Sequence, residues 1–275
     1  MQGAAQTLAI ILARGSAVEL SSEFPMCTIA ILLQTIDGAP LVIAANRDEM
    51  YARPTRPPEP LAPGVAGGVD VLSGGTWLAI RRDGRFAAVT NQRVMAPPPA
   101  GLRSRGLVVR DLAMTDDPAG FVAELDPARY ASMNLVWGDA TAVSVAYLRR
   151  DGRKMIEALP AGVHVLCNDR LGAPGFPRGE RLAAAIAAMP QAWPDMLPAL
   201  QTALADHTHD APEPSHLPPD VARALTATCI HTPAYGTRSS ALVAIRPGET
   251  FAYLHADGPP CIAAFTDQRG LLEPR

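Results

Sequence analysis

The chain of 275 residues holds 24 basic and 27 acidic side chains, a net charge of −3, and 48% hydrophobic residues. That length and apolar content suffice for a continuous core, and a chain this near neutral, with Lys154 its only lysine, lacks the basic footprint of a nucleic-acid binder. No apolar run approaches the ~20 residues of a membrane-spanning helix, which excludes an integral membrane segment.

Residues 1–25 contain one short apolar run, 8–13, with no basic segment before it and no small-x-small site directly after it. They read as an upstream extension or leader outside the fold, with Met26 as the physiological start and residues 26–275 as a single domain. From there the chain is strand-rich. Residues 27–34 and 40–45 flank Asp37-Gly38, and this is the signature of a β-hairpin. The same device recurs around Asp83-Gly84 (76–82 and 85–91), Asp151-Gly152 (142–150 and 153–159) and Pro247-Gly248 (239–246 and 249–255). Helical spacing appears over 102–114, with Val108, Val109 and Leu112 on one face, and Asp117-Pro118 caps a short helix to 125. Two more helices are expected over 178–189 and 193–207, followed by a proline-rich connection at 212–219. Hairpins with helices grouped between them predict an α+β domain in which helices cover antiparallel sheets. No G-x-G-x-x-G or Walker-type loop is present, so a nucleotide-binding fold fits poorly.

The cysteines are Cys27, Cys167, Cys229 and Cys261, without a C-x-x-C pair, which argues against a zinc knuckle. The last three read as buried thiols in a reducing cytoplasm. Cys27 is different if Met26 is removed. Its α-amine, with an ordinary pKa of about 7.7–8.0, then serves as a general base for its own thiol. The alternative is a core cysteine at the head of a buried strand. Asn46-Arg47-Asp48-Glu49 ends the returning strand of the first hairpin and so falls near Cys27, either as a functional cluster or as a solvated strand end.

These residues resemble a known family. Met26-Cys27-Thr28, Asn46-Arg47-Asp48-Glu49, Gly75-Thr76-Trp77-Leu78, Thr90-Asn91 and Tyr235-Gly236-Thr237-Arg238, in this order, are similar to the motifs of the NRDE family, also called Transport and Golgi organisation 2. Ser104-Arg105-Gly106 and Leu217-Pro218 fit the same pattern. Ala79 departs from it, as does the 25-residue extension. The resemblance implies a four-layer αββα sandwich of the N-terminal-nucleophile (Ntn) hydrolase type. It further implies Cys27 as nucleophile with its amine as base, Arg47 beside the thiolate and Asp48 holding the amine. Asn91 and Asn168 would surround the oxyanion, and Arg238 would be a second arginine near the nucleophile. Asn168-Asp169 also reads as a turn, Arg238 as a structural ion pair and Trp77 as a core aromatic.

Two functions remain open. One is a cysteine Ntn-type amidohydrolase acting on a linear amide or related acyl bond, with no cofactor required. The other is a non-enzymatic carrier, since the resemblance brings links to haem mobilisation and to lipid or acyl-CoA homeostasis; haem would be held non-covalently, as no C-x-x-C-H site occurs. His207, His209 and His216, near Asp206 and Asp210, read as a polar loop rather than a metal site, and His231 and His255 as ordinary strand residues.

Overall fold

The computed structural model describes residues 27–93, 99–212 and 217–273, together with the backbone of two short paired strands, β1 (Ala9–Ile11) and β2 (Ala17–Glu19). Apart from those two strands, the extension expected at residues 1–25 lies outside the described residues, as do Met26 and His216.

The first hairpin pairs β3 (Cys27–Leu33) with β4 (Leu41–Met50). Next come β5 (Thr55–Ala62), β6 (Val65–Asp70), β7 (Leu78–Arg81) and β8 (Phe86–Asn91). Two helices follow, α1 (Arg105–Met114) and α2 (Pro118–Glu124). Then come β9 (Met133–Gly138), β10 (Val143–Leu148), β11 (Lys154–Ala158) and β12 (Gly162–Leu166). The second helical group is α3 (Pro177–Ala187), α4 (Leu197–Leu204) and α5 (Pro219–Ala224). The chain closes with β13 (Tyr235–Arg246), β14 (Glu249–Ala256) and β15 (Thr266–Asp267).

Every strand pair is antiparallel. One sheet has the order β11-β10-β9-β8-β7-β6-β5, the other β12-β3-β4-β13-β14-β15. All four hairpins read from turn dipeptides are present, and their glycines 38, 84, 152 and 248 have φ between 77° and 93°, a region only glycine adopts at little cost. Side-chain alternation builds the layers. Ile29, Ile31 and Leu33 of β3 meet Leu78, Ile80 and Val145 of the facing sheet, while Ala30 and Leu32 meet Leu182, Ile186 and Leu200 beneath α3 and α4. The outer face of the other sheet, through Val89, Leu135 and Trp137, packs on Val108, Val109 and Leu112 of α1. The order is therefore helix, sheet, sheet, helix, and the αββα sandwich stands on these contacts. Trp77 packs against both the inter-sheet core and the α1 core, as the core-aromatic reading required.

Three local expectations change. β4 does not stop at Ala45 but continues, buried, through Glu49, because β3 pairs with it as far as Arg47 and β13 pairs with it to its end. The helix expected over 193–207 contracts to α4, which begins after Pro194 with Pro198 in its first turn, and α5 starts at Pro219, the end of the proline-rich connection. β5 is a strand despite Pro57, Pro58 and Pro60, since it is the edge of its sheet, where a missing N–H removes no ladder bond. At the opposite edge, Lys154 of β11 reaches across to the end of α2, its ammonium donating to the carbonyls of Val122, Ala123 and Leu125.

Candidate active site

The candidate site lies where β3 begins. Cys27 pairs with Arg47 across the ladder, so both share the inter-sheet face with Ile29 and Ala45, whereas Thr28 and Asn46 face the α3/α4 layer. The quartet Asn46-Arg47-Asp48-Glu49 is split by this alternation. Asn46 is a structural anchor: its amide donates to Leu204 O and Thr228 O, each at 2.9 Å, and its oxygen accepts the Ser240 hydroxyl. Arg47 and Glu49 look into the mouth between the sheets, with Arg47 Nη2 3.6 Å from Glu49 Oε2 and Arg53 Nε at the same distance from that oxygen. Asp48 accepts the Thr237 hydroxyl on Oδ1 at 2.6 Å. Its Oδ2 is fully buried and has no hydrogen-bond partner among the described residues.

Electrostatics follow from this burial. The Cys27 thiol is pushed up to about 12, by burial first and then by the Asp48 charge; Arg47 and the Asp48 backbone N–H directed at the sulfur act in the opposite direction. The Asp48 carboxyl is raised to about 7, again by burial, with Arg178, Thr237 and Arg47 pulling against it. In this form of the chain, both groups that would carry a reaction hold their protons more tightly than usual.

The fold brings Asn91 and Asn168 together. Leu166 pairs with Ile29, which brings Asn168, two residues on, alongside Cys27 at the same end of the sheet. Asn168 Nδ2 donates to Asn91 O at 3.0 Å, and Arg93 N donates to Asn168 O at 2.7 Å, stitching the end of β8 to the other sheet. The turn reading of Asn168 is compatible with this, since the residue directly follows the β12 strand and Cys167.

Arg238 takes a different post. It is the extra residue of a β-bulge, between Thr237 opposite Asp48 and Ser239 opposite Arg47. Its guanidinium donates to Met50 O, Tyr51 O and Arg53 O at 3.2, 2.5 and 3.4 Å and to Thr55 Oγ1 at 3.2 Å. With β4 between β13 and β3, its backbone stands roughly 10 Å from that of Cys27, and its side chain grips the turn leading into β5.

Two other arginines occupy the neighbourhood. Arg105, the first residue of α1, is pulled down to about 10 by burial, opposed by the charges of Glu49 and Cys27. It is held there because Gly75 and Gly106 let two backbones touch: a Cβ on Gly75 would lie 2.3 Å from Gly106 C, and Thr76 N donates to Gly106 O at 3.0 Å. The Gly75-Thr76-Trp77 and Ser104-Arg105-Gly106 motifs thus meet, but nothing in their spacing singled out Arg105. Arg178, almost wholly buried on α3, bonds Thr28 Oγ1 at 3.0 Å, Asn168 Oδ1 at 2.8 Å and Leu225 O at 2.8 Å. A lone arginine behind a helix-opening proline gives no local signal for such a role.

Among the remaining cysteines, Cys167 and Cys229 are buried as expected, whereas Cys261 is exposed in the segment after β14. His231 makes only a single bridge to Gly236 ahead of β13, so just His255 sits on a regular strand.

The model of the Transport and Golgi organisation 2 family matches residues 26–256. The chain is 26% identical over 231 residues to the Transport and Golgi organization protein 2 homolog of Homo sapiens, covering 74% of this chain and 82% of that protein. To the Bos taurus homolog it is 28% identical over 227 residues, with the same coverage. Among solved structures it is similar to a Caenorhabditis elegans ortholog of N-acylethanolamine-hydrolyzing acid amidase, with a TM-score of 0.47 and 10% identity over 79% of this chain and 92% of that one. It is likewise similar to a variant of conjugated bile acid hydrolase from Clostridium perfringens, with a TM-score of 0.48 and 10% identity over 88% and 96%.

Proposed function

Because this chain belongs to the Transport and Golgi organisation 2 family, and because near its Cys27 thiol the Asp48 carboxylate has one buried oxygen without a partner among the described residues, we propose that it is a cysteine hydrolase of linear amides or related acyl bonds, active once Cys27 is the first residue. The observation that carries the reading is Asp48 Oδ2, buried without a partner on the strand that pairs with Cys27. A buried carboxylate oxygen without a donor is costly, and an ammonium at the Cys27 nitrogen satisfies it.

In that form the groups divide the work. The α-amine of Cys27 takes the thiol proton, and the thiolate, beside Arg47, attacks the acyl carbon. Negative charge develops on the acyl oxygen, for which the side-chain amides of Asn91 and Asn168 are the proposed donors. The protonated amine, held by Asp48, then gives its proton to the leaving nitrogen, and water releases the acid from the thioester in a second step. Cys27→Ser lowers turnover by orders of magnitude while the fold persists, since a hydroxyl is the poorer nucleophile.

The test compares the full chain with one whose first residue is Cys27, each incubated with a panel of activated amides, esters and thioesters and read by intact mass. An acyl adduct on Cys27 of the shortened chain, absent from Cys27→Ser, is expected. Failure of every probe, with stoichiometric haem or acyl-chain binding by both wild type and Cys27→Ser, replaces the hydrolase with the carrier.

A further inference from the structure

A second cluster lies ahead of β13, on the far side of Thr237, whose hydroxyl bonds Asp48. His207 just beyond α4, Cys229 and His231 ahead of β13, and Cys261 after β14 each present a ligand atom, and the four atoms lie within 4.8 Å of one another. Cys229 Sγ stands 3.8 Å from Cys261 Sγ and 3.6 Å from His231 Nε2, and His231 Nε2 is 3.3 Å from Cys261 Sγ. We infer that these residues form a tetrahedral Cys2His2 site for a zinc ion.

The distances carry this. With Zn–S of about 2.3 Å and Zn–N of about 2.0–2.1 Å, a regular tetrahedron has S···S edges of about 3.8 Å and S···N edges of about 3.6 Å. The three observed separations match those edges to within about 0.3 Å before any metal draws the groups together. His207 supplies the orienting bond that ligating histidines need: its Nδ1 is 3.0 Å from Cys229 O, so an Nδ1–H donates there and Nε2 is left for the metal. The two imidazole centroids lie 5.0 Å apart and tilted by 51°, so the rings approach side by side without stacking. Three of the four ligands are exposed, which gives an ion a path in, and four protein ligands leave no open position, as in structural sites.

This corrects the sequence reading of separate thiols and an ordinary His231. The spacing 207, 229, 231, 261 matches no zinc-finger pattern because the ligands come from three separate segments that only the fold brings together. Binding has a chemical balance: zinc displaces one proton from each thiol, so two protons leave per ion and affinity rises with pH.

The experiment uses the full chain purified under reductant without chelator. Elemental analysis after zinc addition and desalting is expected to give one zinc per chain, with two protons released on titration of the apoprotein. Cobalt(II) is expected to give thiolate-to-metal charge transfer and the intense visible bands of a tetrahedral site. Cys261→Ser and His231→Gln, both at exposed positions, should each weaken zinc affinity roughly 100-fold or more while circular dichroism stays unchanged; Cys167→Ala should bind as wild type. Substoichiometric zinc, an octahedral cobalt spectrum, wild-type affinity in both ligand variants, or a Cys229–Cys261 disulfide persisting under reductant with zinc present overturns the inference.

Discussion

Replacing Asp48 by asparagine tests the electrostatics of the site without touching the thiol. In the full chain the Asp48 carboxyl is raised from 3.8 to about 7 by burial. A carboxyl that holds its proton more tightly when folded contributes stability that is complete below pH 4 and is lost as pH rises through 7. Three pKa units at 1.36 kcal/mol each make that loss up to about 4 kcal/mol, or roughly 8–15 °C in Tm for a chain of this size. The amide introduced by Asp48→Asn cannot ionise, and its carbonyl still accepts the Thr237 hydroxyl. Wild type and Asp48→Asn should therefore melt alike at pH 4 and diverge progressively up to pH 7, above which the variant stays the more stable by a constant margin. In a chain starting at Cys27, the ammonium lowers the Asp48 pKa and the divergence should shrink or reverse. Differential scanning calorimetry from pH 4 to 9 measures both effects. Parallel profiles for the two full-length proteins would refute the buried, unpartnered carboxyl and the reasoning built on it.

Arg178→Met should cost about 3–5 kcal/mol in chemical denaturation, because it leaves Thr28 and Asn168 facing an apolar side chain. It should also raise the Asp48 pKa further, since Arg178 is the strongest group pulling it down, and NMR titration of the Asp48 carboxyl carbon reads that shift. Gly75→Ala forces a Cβ against the Gly106 and Leu107 backbone and should destabilise by roughly 2–4 kcal/mol, with Tm as the readout. Arg105→Gln removes a cation whose charge is coupled to that of Cys27, so the Cys27 alkylation rate at pH 9 should fall.

Local chemistry made much of the fold legible. Turn dipeptides marked four hairpins because each reversal places a left-handed glycine within its loop, and Asp117 marked α2 because its carboxylate accepts the Gly120 N–H at 2.9 Å. β5 was hidden by its prolines, and β9 lacked a turn dipeptide of its own. At the site, the pairing of Cys27 with Arg47 was readable because a hairpin fixes which residues face each other. Arg238 looked like their companion until the bulge turned it toward the 50–53 carbonyls, a one-residue irregularity that pattern does not carry. Arg105, Arg178 and the cysteine–histidine cluster depend on contacts between segments distant in the chain, such as Arg178 with Thr28 and Cys229 with Cys261, beyond any local rule.

The lysine that fastens β11 to the end of α2 has a practical corollary for labelling chemistry. With Lys154 the only lysine, an amine-directed reagent has two addresses on this protein, that side chain and whichever residue stands first in the chain. The ammonium at position 154 is also engaged with three carbonyls, so modifying it should unfasten the last turn of α2 and mark itself by a change in local hydrogen exchange. Peptide mapping after mild acylation then has a simple reading: a modified peptide other than the one containing Lys154 is the chain terminus, and its sequence names the residue at which the protein begins.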